Sequence, residues 1–310
     1  MIIREVPAEH FGVAGISKAE EHAQAKLPRR RQKGIRMSDN PEIGKSIDAQ
    51  GVKTNYHDMG EGHPVILIHG SGPGVTAWAN WRLNLPVLAE SMRAIAPDML
   101  GFGYTERPAD GIYNLERWRK HLMDLADALD LDQFDIIGNS FGGALALSMA
   151  ANHPDRVRRI VLMGAAGLEF ELTDALDKVW GYEPSVEAMR EMLDIFAYDN
   201  SLVSNELAEM RYRASIQPGF QEAFSAMFPA PRQQHISALS TPEDEIAKIT
   251  SPAMMLHGRE DRVLPMSTSL RLFELLETAE VHLFGKCGHW TQIEHKDRFN
   301  SLVSEFLTRA

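Results

Sequence analysis

Gly138-Asn-Ser140-Phe-Gly142 matches the pattern G-x-S-x-G, in which two glycines allow a turn too sharp for side chains. Such a turn, set between a strand and a helix, lifts a serine hydroxyl above a sheet at a helix N-terminus. An isolated serine there would merely cap the helix. To attack a carbonyl, its hydroxyl needs a base to take the proton and a carboxylate to orient that base. The order expected with this turn is serine, then acid, then histidine. Asp261 in His257-Gly-Arg-Glu-Asp261-Arg-Val-Leu-Pro265 and His289 in Gly285-Lys-Cys-Gly-His289-Trp290 meet that order, with Glu260 and Asp244 as rival acids. Ser140, Asp261 and His289 are therefore read as nucleophile, orienting acid and general base. Two backbone amides must receive the developing oxyanion. Phe141, just after the serine, and Ser71, in the glycine-rich run His69-Gly-Ser-Gly-Pro-Gly74, are the candidates. That run is no phosphate cradle, since no Gly-Lys-Ser/Thr follows it. No Cys/His spacing suits zinc, and neither a metal nor a cofactor is expected.

These residues need buried strands to carry them. Pro64–Ile68, ending at His69, is an almost continuous apolar run, as in a strand covered on both faces. Arg93–Pro97, Phe134–Gly138, Ile160–Met163, Ala253–His257 and Val281–Phe284 read alike, and Ile43–Asp48 with Val52–His57 form a hairpin pattern. A helix over 114–130 is predicted from Leu115, Trp118, Leu122, Leu125 and Leu129 on one face, with Asn114 as its cap. Others are predicted over 142–150 and 296–308. Alternating strands and helices imply a mostly parallel sheet flanked by helices, with the ligand at the carboxyl ends of the strands. Residues 170–235 break the alternation with helical periods rich in aromatic residues and methionine, which is the mark of an all-helical insertion. The expected division is an N-terminal extension over 1–40, disordered, a core over 41–168 and 237–310, and a helical lid over 169–236.

Composition narrows the partners. The chain has 310 residues, 44% of them hydrophobic, and a net charge of −11, which opposes a nucleic-acid partner. Its one cysteine, Cys287, cannot form an internal disulfide and fits a reducing, cytoplasmic setting. No apolar run reaches the roughly 20 residues needed to cross a bilayer, so no membrane partner is expected. Residues 1–36 carry eight Lys or Arg against four Glu, and Met37 is an alternative start.

Taken jointly, His69–Trp81, Gly101–Pro108, Gly138–Leu147, Met227–Arg232 and Gly285–Trp290 resemble the meta-cleavage product hydrolases, and the resemblance runs from about Pro41 to Phe306. It implies the α/β-hydrolase fold and a homo-oligomer, dimeric or larger. It also implies hydrolysis of a carbon–carbon bond in an acidic dienol, 2-hydroxymuconate semialdehyde or a 6-alkyl analogue, made by ring fission of a catechol. The products would be 2-hydroxypenta-2,4-dienoate and formate or another short acid. By the same resemblance Arg211 holds the substrate carboxylate and dienolate end, while Asn80, Asn139, Phe196 and Trp290 contact the substrate. Without it, Arg211 and Asn80 would read as ordinary helix residues. A carboxylesterase or lactonase on the same scaffold is the first rival, but an ester needs no Asn80, Arg211 and Trp290 together. A binding protein that kept the fold would have lost its triad, and here every member is in place. Hydrogen, methyl and larger substituents at the cleaved carbonyl differ by only about 1–3 kcal/mol per methylene, and the sequence leaves that choice open.

Overall fold

A computed structural model describes residues 40–309; the expected N-terminal extension, apart from Asn40, lies outside the described residues. Eight strands form one sheet: β1 (Lys45–Ala49), β2 (Val52–Met59), β3 (Pro64–Ile68), β4 (Arg93–Pro97), β5 (Phe134–Asn139), β6 (Val157–Met163), β7 (Ala253–Gly258) and β8 (Ala279–Phe284). Their spatial order is β1-β2-β4-β3-β5-β6-β7-β8. β2 is antiparallel to both β1 and β4, and every other pairing is parallel.

The buried strands divide their side chains by the period of two. Ile66, Ile68, Ile136, Ile160, Leu162 and Met255 join one apolar cluster. Val65, Leu67, Ile137, Val161, Met163, Met254 and Leu256 join the other. A sheet filled on both faces needs helices on both, which is why its strands read as unbroken apolar runs. α1 (Ala77–Trp81) and α2 (Leu85–Leu88) follow β3, and α3 (Leu115–Ala128) follows β4. α4 (Phe141–Asn152) follows β5. Asn114 caps α3 by accepting from Arg117 N at 2.9 Å. Trp118 and Leu122 of α3 and Phe141 and Leu145 of α4 fill the first cluster, while Trp81, Leu85 and Phe299 fill the second.

Between β6 and β7 the chain builds α5 (Asp174–Trp180), α6 (Val186–Phe196), α7 (Asn205–Ser215), α8 (Phe220–Met227) and α9 (Gln233–Leu239), and then α10 (Glu243–Ile246). Thr173, Ser185 and Ser204 cap α5, α6 and α7 with their hydroxyls. Met189, Met192 and Phe224 are buried in the first cluster, so much of the aromatic and methionine content is helix packing. α11 (Met266–Leu275), α12 (Thr291–Glu294) and α13 (Lys296–Thr308) complete the chain.

β6 begins at Val157 rather than Ile160. Arg158 grips Asp135 of β5 with two hydrogen bonds, at 2.9 and 2.5 Å, and donates to Leu307 O at 2.7 Å. This polar cross-strand pair hides three residues of strand from an apolar pattern.

Candidate active site

Ser140 lies between β5 and α4 with φ 54° and ψ −113°, a strained conformation for a residue with a side chain. A Cβ on Gly138 would strike the backbone of Gly142, and one on Gly142 would strike Ile68 O, so both glycines are required by close approach. Ser140 N donates to Met163 O at 2.9 Å, and Ser140 O accepts from Ala166 N at 3.0 Å. The end of β6 thus holds the turn from one side.

The same stretch of chain lies against Asp261 and His289. A Cβ on Gly164 would lie 3.1 Å from both Asp261 Oδ2 and His289 Nδ1. His289 Nδ1 and Asp261 Oδ2 are 2.7 Å apart, with both side chains buried. Asp261 Oδ1 accepts from Val263 N at 2.8 Å and Leu264 N at 3.1 Å. Burial would raise the Asp261 pKa, but the neighbouring His289, His257 and the backbone donor Leu264 outweigh it and hold the carboxyl below its ordinary range. An ionised Asp261 accepts a hydrogen bond from His289 Nδ1, which leaves the other ring nitrogen, Nε2, on the side away from the acid. Neither rival acid is so placed. Glu260 is tied to Arg259 and accepts from Cys287 N, while Asp244 pairs with Lys248 on the surface. Burial pushes the Cys287 thiol up to about 12, so it is no alternative nucleophile.

Ser71 and Phe141 line a cavity together with Ser140. A Cβ on Gly70 would come 3.4 Å from Ser140 Cβ, so the loop after β3 lies directly against Ser140. His69 anchors this loop from beneath: its Nδ1 donates to Gly70 O at 2.8 Å, and its Nε2 accepts from Met99 N at 3.0 Å. Ala166, Leu168, Phe170, Leu176, Trp180, Ile236 and Leu264 make the rest of the cavity apolar. The space open to the centre of a water-sized sphere is about 10 Å³, room for roughly one water.

The five residues that the resemblance assigns to the substrate stand outside that apolar lining. They gather about the loop after β3 and the loop that carries His289. Asn139 Nδ2 donates to Met163 O at 3.3 Å. Asn80 Oδ1 accepts from Gly70 N at 3.5 Å, and its buried Nδ2 has no protein acceptor among the described residues. Phe196, ending α6, stacks on Trp290 at 5.2 Å and on His289 at 5.8 Å, and its carbonyl accepts from His289 N at 2.7 Å. Arg211 of α7 is held by protein groups: Nη1 bonds Glu42 Oε1 at 2.6 Å, and Nη2 donates to Gly74 O.

Three residues in contact with these groups escaped the sequence reading. Gly164 signals nothing except as a glycine after a strand. Trp180 donates from Nε1 to Ser71 Oγ at 3.1 Å, a contact between residues 109 positions apart. Glu42 sits in a stretch with no helical or strand pattern of its own. Among the described residues no group of three His, Cys, Asp or Glu side chains could hold a metal ion, and no helix is long and apolar enough to cross a membrane.

Comparison with known proteins places this geometry. The family described as the alpha/beta hydrolase fold matches residues 63–296. A 2-hydroxymuconate semialdehyde hydrolase of Pseudomonas sp. (strain CF600) is 57% identical over 272 residues, covering 88% of this chain and 96% of its own. A 2-hydroxy-6-oxo-2,4-heptadienoate hydrolase of Pseudomonas putida is 59% identical over 268 residues, covering 86% and 97%. Among solved structures, the meta-cleavage product hydrolase of Pseudomonas fluorescens, crystallised as a serine-to-alanine variant with acetates, superposes with a TM-score of 0.86 at 58% identity. That match covers 86% of this chain and 98% of the other.

Proposed function

Since the chain belongs to the α/β-hydrolase family and, within it, to the meta-cleavage product hydrolases, we propose that it hydrolyses a carbon–carbon bond of an acidic dienol from catechol ring fission, with Ser140, Asp261 and His289 as its catalytic triad. The observation that carries the mechanism is the 2.7 Å bond between His289 Nδ1 and a buried Asp261 in the loops beside Ser140.

Carbon is a poor leaving group. The dienol must first move its hydroxyl proton to carbon and become a ketone, which can accept the electron pair when the bond breaks. His289 then draws the proton from Ser140, the serine oxygen adds to the carbonyl, and the amides of Phe141 and Ser71 receive the oxyanion. Cleavage sends the electron pair into the dienolate, with Arg211, Asn80, Asn139 and Trp290 about its carboxylate end, and the proton held by His289 passes to it, so that it leaves as the dienol and His289 is neutral again. Water, activated by His289, releases the acyl group from Ser140 as the free acid.

The apolar cavity beside Ser140 supports a small substituent at the cleaved carbonyl, hydrogen or methyl. It has room for about one water, whereas a phenyl ring would need several times that space. The two relatives above are named for substrates of this size, a semialdehyde and a heptadienoate. The helical insertion from α5 to α9 serves as the lid, since Leu176, Trp180, Ile236 and Leu239 supply much of that cavity's wall. Cytoplasmic placement fits the single buried cysteine, and assembly into a homo-oligomer rests on the resemblance.

The test is to generate the yellow ring-fission product of catechol, add the protein, and follow loss of visible absorbance with formate release. Bleaching with one formate per substrate is expected, with acetate replacing formate for the 3-methylcatechol product. Absence of bleaching together with hydrolysis of simple esters would replace this reading with an esterase.

A further inference from the structure

Arg211 does not wait free for a substrate. It makes a largely buried ion pair with Glu42, the two side chains retaining only 12% and 15% of their exposure. Glu42 lies just before β1, and 169 positions separate the partners. A surface pair of this kind would carry little information. A buried one is costly to assemble and fixes geometry, since both charges give up water and must keep each other in place.

Glu42 is itself held firmly. Its N–H donates to Asn40 Oδ1 at 3.0 Å, and its carbonyl accepts from Asn55 Nδ2 at 3.1 Å. Asn55, on β2, also donates to the buried Asp98 at 2.8 Å and accepts from Gly44 N at 2.9 Å. Glu42 is thus fixed to the sheet. Arg211 stands on the helical insertion, and α7 is seated on the loop after β3. A Cβ on Gly74 would meet Ser215 N at 2.6 Å, and Gly74 O takes the second arm of the guanidinium. A planar guanidinium has five donors in a fixed fork, so pinning two arms sets the direction of the others.

Arg82 closes the charge count. It donates to Ala79 O at 2.6 Å and makes no ion pair among the described residues. Arg211 and Glu42 both lie near enough to shift it. Two guanidiniums and one carboxylate leave a single positive charge, which one substrate carboxylate would neutralise.

We propose that Glu42 is a positioning residue for the reaction: anchored on the sheet, it holds the Arg211 guanidinium on the insertion in the attitude that receives the substrate carboxylate. This rests on the reading that Arg211 receives that group. Glu42 takes one nitrogen of Arg211 and leaves the remaining donors aimed at the incoming anion. It also ties lid to core at the acid end of the site, so a lid displaced by an ångström would misplace the dienol against Ser140.

The experiment compares Glu42→Ala, Glu42→Gln, Arg211→Ala and the Glu42→Ala/Arg211→Ala double variant. Each is assayed for kcat and KM on the catechol ring-fission product and on p-nitrophenyl acetate, a neutral ester that needs the triad but no carboxylate site. Failure of the wild-type protein on the ring-fission product would overturn the functional reading itself, whatever the variants do. With wild-type turnover established, Glu42→Ala is expected to lose about tenfold or more in kcat/KM on the dienol than on the ester, since small misplacements of reacting groups have effects of that order. Glu42→Gln keeps an acceptor for Arg211 and should recover most of the loss. In the Arg211→Ala background, removing Glu42 should add nothing. Equal losses on dienol and ester, or losses that simply add in the double variant, would overturn the proposal.

Discussion

The two ends of the site are built on different plans. Around Ser140 the framework comes from the sheet and its crossing loops: Met163 O and Ala166 N hold the turn, Asp261 holds His289, and His69 holds the loop after β3, while Phe196 and Trp180 of the insertion only close over His289 and Ser71. At the Arg211 end the groups come from three separate places, the stretch before β1, the loop after β3 and helix α7 of the insertion. In the first arrangement the His289–Asp261 pair is already closed at 2.7 Å. The second is an ion pair whose partners belong to separate layers and whose cationic member has donors to spare. Chemistry on a carbonyl needs atoms fixed to fractions of an ångström, and strand ends supply that. Recognition of a carboxylate needs charge, direction and a way in, and a helix resting on the core supplies those. The prediction is that damage at the first end abolishes turnover of every substrate, whereas damage at the second separates acids from neutral esters.

The largest effect tests the first half of that statement. Ser140→Ala should lower kcat by about a millionfold on dienol and ester alike, as loss of a triad nucleophile does, while the dienol still binds. Titration of its visible spectrum against the variant would show binding. Residual hydrolysis within a hundredfold of wild type would remove the serine mechanism. Arg211→Ala tests the second half. It should lower kcat/KM for the dienol by about a hundredfold, the scale of losing a charge-assisted bidentate contact, and affect p-nitrophenyl acetate by less than about a tenth as much. Equal losses would make Arg211 a structural anchor of α7.

This contrast also decides how much could be read from the sequence. Ser140, Asp261 and His289 each end or follow a strand whose apolar run is plain, so local pattern singled them out as candidates, and the fold sets His289 against Asp261. The buried strands were legible for the same reason, being filled on both faces. β6 lost its first three residues to Arg158, whose polarity conceals a buried pair with Asp135. The short helices over 77–88 show too few turns for a period to emerge. Glu42 left no trace at all. Its role depends on a partner 169 residues away, and nothing in Asn-Pro-Glu-Ile-Gly separates it from any solvated carboxylate. Arg211 entered only through the family resemblance, and its own surroundings in sequence say no more than amphipathic helix. Groups that act through long-range pairing are visible only once the fold is.

A smaller effect probes the boundary between the two ends. Leu176 of α5 lines the apolar cavity beside Ser140 from the insertion. Leu176→Ala should enlarge it and shift relative kcat/KM by about tenfold from the hydrogen or methyl dienol toward longer alkyl substituents, the worth of one or two methylenes. The same change should lower unfolding free energy by about 2–4 kcal/mol, because Leu176 is buried. Unchanged preference would mean that the substituent of the acyl group does not enter this cavity.

The gentlest test concerns acid. Burial pushes His69, which anchors the loop after β3, down to about 4. It does the same to His121, whose Nδ1 accepts from Leu100 N and whose Nε2 meets Thr54 Oγ1 at 2.8 Å. Both stay neutral in the folded protein at pH values where an unfolded imidazole, at 6.5, takes a proton. Their contribution to stability is full above pH 6.5 and is lost as pH falls through 4. Asp98 opposes them. Burial raises it to about 7 against the pull of Ala77 N, Tyr104 N and Asn55, so its contribution is full below pH 3.8 and is lost as pH rises through 7. Two imidazoles against one carboxyl leave the unfolded chain binding about one more proton, and His57, His63, His153 and His257 shift in the same direction as the pair. Unfolding free energy should therefore rise from pH 4 to 6.5, by about 1.4 kcal/mol per unit from His69, His121 and Asp98 alone. Denaturant titrations across that range would measure it. A flat or falling profile would mean that the Ser140 half is not held by neutral buried imidazoles, and that its rigidity relative to the Arg211 end has another source.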